Sequence, residues 1–222
     1  TPPEVAQTRP APDTTRVAPD QEIRIRFSEA MDRRSAEESF FLSPAPQGGL
    51  KFRWRGDEME VLPVGGLHSG RTYLVSVGAG TRDEAGNPLR ASHDFAFSTG
   101  DRIDRGEVRG RVLSADGGRS QGYVLAYELT GRGDPDPGAD APDYTTQAAS
   151  DGAFRFPRLS PGRYRVFAFE DRDRDRAYSP ALDPLAVPPA DADLGDPEAV
   201  ALLGDLRAVL PDRAKASLTS AR

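Results

Sequence analysis

Apolar and polar side chains alternate with a period of two through most of the chain, the spacing of strands that bury one face. Ile23, Ile25 and Phe27 alternate with Arg24, Arg26 and Ser28 and predict a first half-buried strand. From Met31 to Phe41 the alternation lapses, and Ser35-Ala36-Glu37-Glu38 predicts one or two helical turns there. It returns at Phe52 and Trp54, flanked by Lys51, Arg53 and Arg55, and again at Met59 and Val61 after a Gly56-Asp57 turn. That is a hairpin, with the single tryptophan expected in the core. Tyr73, Val75 and Val77 give the next strand, a polar turn spans 82–87, and Phe95 with Phe97 close the cycle near Gly100.

A second cycle follows. Val108 and Val112 flank Gly110, and Tyr123, Leu125, Tyr127 and Leu129 alternate with smaller residues, which predicts two strands. Residues 131–142 are rich in Gly, Asp and Pro and predict a mobile surface loop. Tyr144 to Gln147, a turn at Ser150-Asp151-Gly152, Phe154 with Phe156, and the run from Tyr164 to Phe169 complete the strands. Beyond Pro188 the period changes. Asp196-Pro197 reads as a cap and first turn, and Ala199, Val200, Leu203, Leu206 and Leu210 recur at helical spacing. The expectation is an all-β chain of two tandem β-sandwiches, over 1–100 and 101–190. A short C-terminal helix, ended by Pro211, and a flexible tail would occupy 191–222.

Two related patterns fall at matching places in the halves: Leu67-x-x-Gly70-x-x-Tyr73 and Leu159-x-Pro161-Gly162-x-Tyr164. Each suits a tyrosine corner, in which a ring enters the core and its hydroxyl returns to backbone a few residues upstream.

Composition sharpens this picture. The 22 glycines and 20 prolines oppose long helices, whose interiors they destabilise, and favour short strands with tight turns. No apolar run approaches the length of a membrane-spanning helix. The net charge of -6, with cations scattered among acids, argues against a nucleic-acid partner. The absence of cysteine removes thiol catalysis, thiolate zinc sites and disulfides together.

Residues 2–100 resemble the bacterial Ig-like domain of surface-layer and envelope proteins, through the Pro2-Pro3 opening, IRIRFSEAMD at 23–32, LHSGRTYLVSV at 67–77, DEAGNPL at 83–89 and DFAFSTG at 94–100. The second half is similar to the transthyretin-like or carboxypeptidase-regulatory-like sandwich, through GEVRGRVL at 106–113, 150–171 and the DRDRDRAY that follows. In this order the two modules resemble Bacteroidota-type envelope lipoproteins that contain an Ig-like domain. The resemblance implies export to the cell envelope, as an outer-membrane lipoprotein on its periplasmic or surface face, or secretion. It implies a membrane link only through an N-terminal lipidated cysteine that this sequence does not include, and no catalysis.

Asp171, Asp173 and Asp175 carry the most distinctive chemistry. Carboxylates two residues apart in a curved loop can converge on calcium, which takes six to eight oxygens. An extended segment would instead put the acids on one face and Arg172, Arg174 and Arg176 on the other, a solvated charge ladder with no ion. Both readings stand at this point. The glycine and distal glutamate of an EF-hand loop are missing, and Asp151 could add a ligand. Asp83, Gly86 and Asn87 are a second cluster whose ordinary role is to bond their own turn. His68 and His93, the only histidines, lack the partners of a hydrolase or zinc site and read as surface residues. The expected function is a non-catalytic envelope module, monomeric, acting in spacing, presentation or contact with an envelope protein or glycan. A carbohydrate- or peptidoglycan-binding module, using Tyr123, Tyr144 and Tyr178 as exposed rings, is the alternative; an accessory region of a larger secreted enzyme is a third.

Overall fold

The computed structural model describes residues 2–46 and 48–210. Its contacts divide the chain into two compact units, Thr1–Ile103 and Asp104–Arg222. Strands are numbered in chain order.

In the first unit, one sheet orders β1 (Val5–Arg9), β2 (Ile23–Phe27), β5 (Glu58–Pro63) and β4 (Leu50–Arg55), and the other orders β3 (Phe40–Ser43), β6 (Thr72–Val77) and β7 (His93–Ser98). Every pairing is antiparallel. The alternation read from the sequence becomes a shared interior: Ile23, Ile25, Phe27, Met59 and Val61 from one sheet meet Leu42, Tyr73, Val75, Val77, Phe95 and Phe97 from the other. The helical segment is α1 (Arg33–Glu38), a single short element whose first turn is capped by Asp32 accepting from the Ser35 N–H at 2.8 Å. Trp54 is only partly buried. It stacks on Phe27 with ring centres 6.1 Å apart and donates its Nε1 proton to Glu37, which ties β4 to α1.

In the second unit, one sheet orders β10 (Tyr144–Gln147), β9 (Tyr123–Glu128), β12 (Gly162–Phe169) and β13 (Leu185–Ala186), with β14 (Ala192–Leu194) also on β12. The facing sheet orders β11 (Ala153–Leu159), β8 (Gly106–Leu113) and β15 (Val200–Arg207). The turn between β10 and β11 depends on Gly152, whose φ is +80° and where a Cβ would lie 2.5 Å from the Val112 carbonyl oxygen.

Among the described residues of this unit the expected C-terminal helix is absent. Residues 200–207 are instead strand β15, paired parallel to β8. The reason is a bulge: the register slips between Leu202 and Asp205 at Gly204, whose φ is +68°. One inserted residue shifts the phase of the alternation, so the inward-facing residues become Ala201, Leu203, Leu206 and Ala208. The three-residue step from Leu203 to Leu206 mimics a helical period. The expected tail, and Pro211 as a stop, lie outside the described residues.

The interior between the two sheets is built from one face of each strand. It takes the smaller side chains of β9 and β12, Val124, Ala126, Val166 and Ala168, together with Tyr164. Leu125, Tyr127, Phe167 and Phe169 face the other way and form a separate cluster with Tyr178 and Leu185. Both faces of this sheet are therefore buried, and loops cover the second one. Residues 131–142 form part of that cover and are pinned: Pro135 and Pro137 are buried, and the Tyr127 hydroxyl donates to the Asp140 carbonyl at 3.1 Å.

Candidate metal-binding loop

The chain leaves β12 at Phe169 and enters a loop that returns at β13. Two features fix it. Tyr178 packs on Phe169 with ring centres 5.7 Å apart, and the fully buried Asp183 carboxylate accepts from the backbone N–H of Arg172 at 2.9 Å and of Ser179 at 2.8 Å. The loop thus closes around an internal carboxylate, so its backbone polar groups stay satisfied although it lies on apolar side chains.

Within this frame the segment is not extended. Arg174 and Arg176 adopt left-handed φ values of 63° and 65°, and the chain curls. Asp171 accepts from the N–H of Asp175 and Arg176, Asp175 from that of Ala177, and Asp173 from the Ser179 hydroxyl. The ladder reading of the sequence fails for this reason. The curl brings one carboxylate oxygen from each of Asp171, Asp173 and Asp175 within 4.8 Å of the others. At such separations, mutual repulsion costs roughly 1 kcal/mol per pair even in water. The interleaved arginines do not relieve it: among the described residues, none of the three acids forms an ion pair with an arginine. Three converging carboxylates, with the Ser179 hydroxyl beside Asp173, form a hard-oxygen donor set suited to a calcium-sized ion, which would draw its other ligands from backbone carbonyls or water.

The remaining sequence candidates are structural. Asp151 accepts from the Ala153 N–H and shapes its own turn. Asp83 is buried and takes both the backbone and the side-chain amide of Asn87, each at 2.7 Å; the Asn87 hydrogen bond chiefly holds its carboxyl below the ordinary value. His68 is exposed and His93 half-buried against Phe95. Tyr144 and Tyr178 are buried, so of the three tyrosines considered for glycan contact only Tyr123 retains exposed surface.

Both tyrosine corners are present. The His68 N–H donates to the Tyr73 hydroxyl at 2.7 Å, and the Tyr164 hydroxyl donates to the Ser160 carbonyl at 2.8 Å. Burial raises the Tyr73 pKa to about 12, against the smaller opposing effects of the His68 hydrogen bond and the Arg71 charge.

Residues 1–99 match the bacterial Ig-like domain. The match covers the first sandwich, and the corner at Tyr73 falls inside it. No curated protein sequence matches the chain. Among solved structures, the chain is similar to an L,D-transpeptidase from Mycobacterium smegmatis (20% identity, covering 99% of this chain and 94% of that one, TM-score 0.36). It is also similar to the N-terminal part of the bacterial S-layer protein SbsC (16%, 76% and 40%, TM-score 0.32) and to BcpA, the major pilin subunit of Bacillus cereus (9%, 93% and 71%, TM-score 0.30). Likeness at this level is too low to carry a functional inference.

One charged site in the Ig-like unit escaped the sequence reading. Glu60 on β5 is fully buried, with Arg55 at 3.0 Å and Arg24 at 3.8 Å, where alternation alone places it on the solvent face. The long aliphatic stems of its neighbours can cover it, an effect that periodicity does not encode.

Proposed function

We propose that this chain is a non-catalytic cell-envelope module that spaces, presents or contacts other envelope components, as part of an exported lipoprotein. The observation that carries this reading is the bacterial Ig-like match over 1–99. The second sandwich, read as transthyretin-like or carboxypeptidase-regulatory-like, supplies a further scaffold whose loops are free to vary. The decisive experiment is fractionation of the tagged full-length product in its own host. Recovery with the envelope or the medium is expected, and recovery in the cytosol overturns the reading.

A second element concerns the loop after β12. Asp171, Asp173 and Asp175 hold calcium and stiffen that loop; the support is the convergence of three carboxylates, none of which pairs with an arginine among the described residues. Calorimetric titration of the chain with calcium tests it against Asp173→Ala. The parent releases or absorbs heat and melts at a higher temperature with calcium, and the variant does neither. A parent with no heat and no thermal shift eliminates the metal.

A further inference from the structure

Beside the acidic loop, at the end of the β9–β10 pair, lies a pocket of about 420 Å³ that falls outside the Ig-like match and shares Asp171 with the cation reading. This is at the small end of the range for small-molecule sites. Its lining includes Gln121, Tyr123 and Gln147, the two acids Glu170 and Asp171, and the two cations Arg174 and Arg176. We propose that this pocket binds a carboxylate-bearing saccharide, with the sugar against Tyr123 and its acid group between Arg174 and Arg176.

The floor is rigid. One face of Tyr123 rests on Phe169, with ring centres 5.7 Å apart and 24° between planes, so the second apolar cluster fixes the ring while leaving it half-exposed. A ring held this way offers a flat surface to the C–H face of a pyranose at little entropic cost. Directly across the strand pair, Gln147 is in register with Tyr123 and donates its amide to the Gln121 carbonyl at 3.1 Å. That leaves the Gln147 amide oxygen and the Gln121 side chain to meet hydroxyls. Glu170 adds an acceptor; its contact with Arg172 is only a loose 3.9 Å.

The choice of an acidic sugar rests on the arginines. Arg174 and Arg176 are exposed, and left-handed backbone turns place both at the same pocket. Three aspartates share their loop, yet among the described residues neither guanidinium has a carboxylate within 4 Å. Unpaired, planar donors at one pocket match the two oxygens of a carboxylate. With a single aromatic ring and otherwise polar walls, the lining gives an apolar ligand little to bury. The sugar acid reads the arginines, and its hydroxyls read the amides and Glu170.

The inference does not depend on the envelope location, and because Asp171 lines both the pocket and the cation cluster the test is run with and without calcium. The test is titration of the chain with D-glucuronic acid and a glucuronic-acid-containing disaccharide, with D-glucose as the neutral control, in EDTA and again with calcium. Chemical shifts of the Tyr123 ring report where binding occurs. The acids bind in EDTA, perturb Tyr123, and bind about tenfold more tightly than glucose, the effect of one charge-assisted contact. The double variant Arg174→Ala/Arg176→Ala loses that preference while its melting temperature stays at the parent value, since both side chains are exposed. Absence of binding in both buffers, equal binding of acid and glucose, or an acid preference that survives loss of both arginines overturns the proposal. Binding that needs calcium and ignores the arginines also overturns it, and identifies the metal as the contact.

Discussion

Substituting Tyr164 by Phe removes one oxygen from the second sandwich and leaves the ring in place. Tyr164 is fully buried, and Ser160, whose carbonyl receives its hydroxyl, is 3% exposed. No solvent stands ready to replace the lost donor, so the cost is that of an unsatisfied buried acceptor, about 1–3 kcal/mol. The ring volume is retained, so the cavity contribution is small. For a unit of this size, 1 kcal/mol corresponds to roughly 3–6 °C, and the expected fall in melting temperature is about 3–18 °C. The Tyr73 hydroxyl differs because it accepts from the backbone N–H of His68, an exposed residue, in a bond that is only partly buried. Tyr73→Phe should therefore cost about half as much. Calorimetry resolves the two, since each unit has its own apolar core and each substitution should act on its own transition. If Tyr164→Phe melted within about 1 °C of the parent, the corner would be a bystander of the turn, and the argument from buried acceptors would fail here.

Two further outcomes follow from the same geometry. Gly152→Ala combines a left-handed φ with a Cβ clash against the Val112 carbonyl and should cost roughly 2–4 kcal/mol, whereas Gly131→Ala, at φ +71° in open space, should cost about 1 kcal/mol; equal urea midpoints for the two variants would count against the clash. Burial pushes the Asp191 carboxyl up, but hydrogen bonds and charge from Arg165 and Arg163 outweigh it and hold the group below its ordinary 3.8. Its contribution is therefore complete above the unfolded-state pKa and disappears as pH falls through the lower, folded-state value. Urea midpoints measured from pH 6 down to about 2.5 should fall less steeply in Asp191→Asn than in the parent, and identical acid slopes would refute the assignment.

The sequence was most readable where one face of a strand is buried and the turn residues are distinctive. Ile23, Ile25 and Phe27, the Gly56-Asp57 hairpin and both corner tyrosines occupy the positions their pattern implies. Reading failed where two structural signals overlap. A bulge at Gly204 converts a period of two into a step of three, and β15 looked helical. In β9 and β12 both faces are apolar, so alternation between large and small residues marked two different clusters and could not say which was internal. The spacing of Asp171, Asp173 and Asp175 was visible, but the curl that gathers them depends on left-handed conformations at two arginines, a residue type with no preference for that region. The pocket beside Tyr123 was invisible for a related reason, since its walls come from β9, β10 and the distant loop after β12.

Strand β15 lies parallel to β8, so the first strand of the second unit stays unpaired on one side until nearly the last described residues have been made. A chain emerging vectorially, from a ribosome or through an export channel, would leave the backbone N–H and C=O groups of β8 unpaired along an open edge for the whole of that interval. Closure then joins residues almost a full domain apart, a topology that folds slowly and leaves the nascent half dependent on holding factors. Truncation ahead of Val200 would leave that edge open permanently.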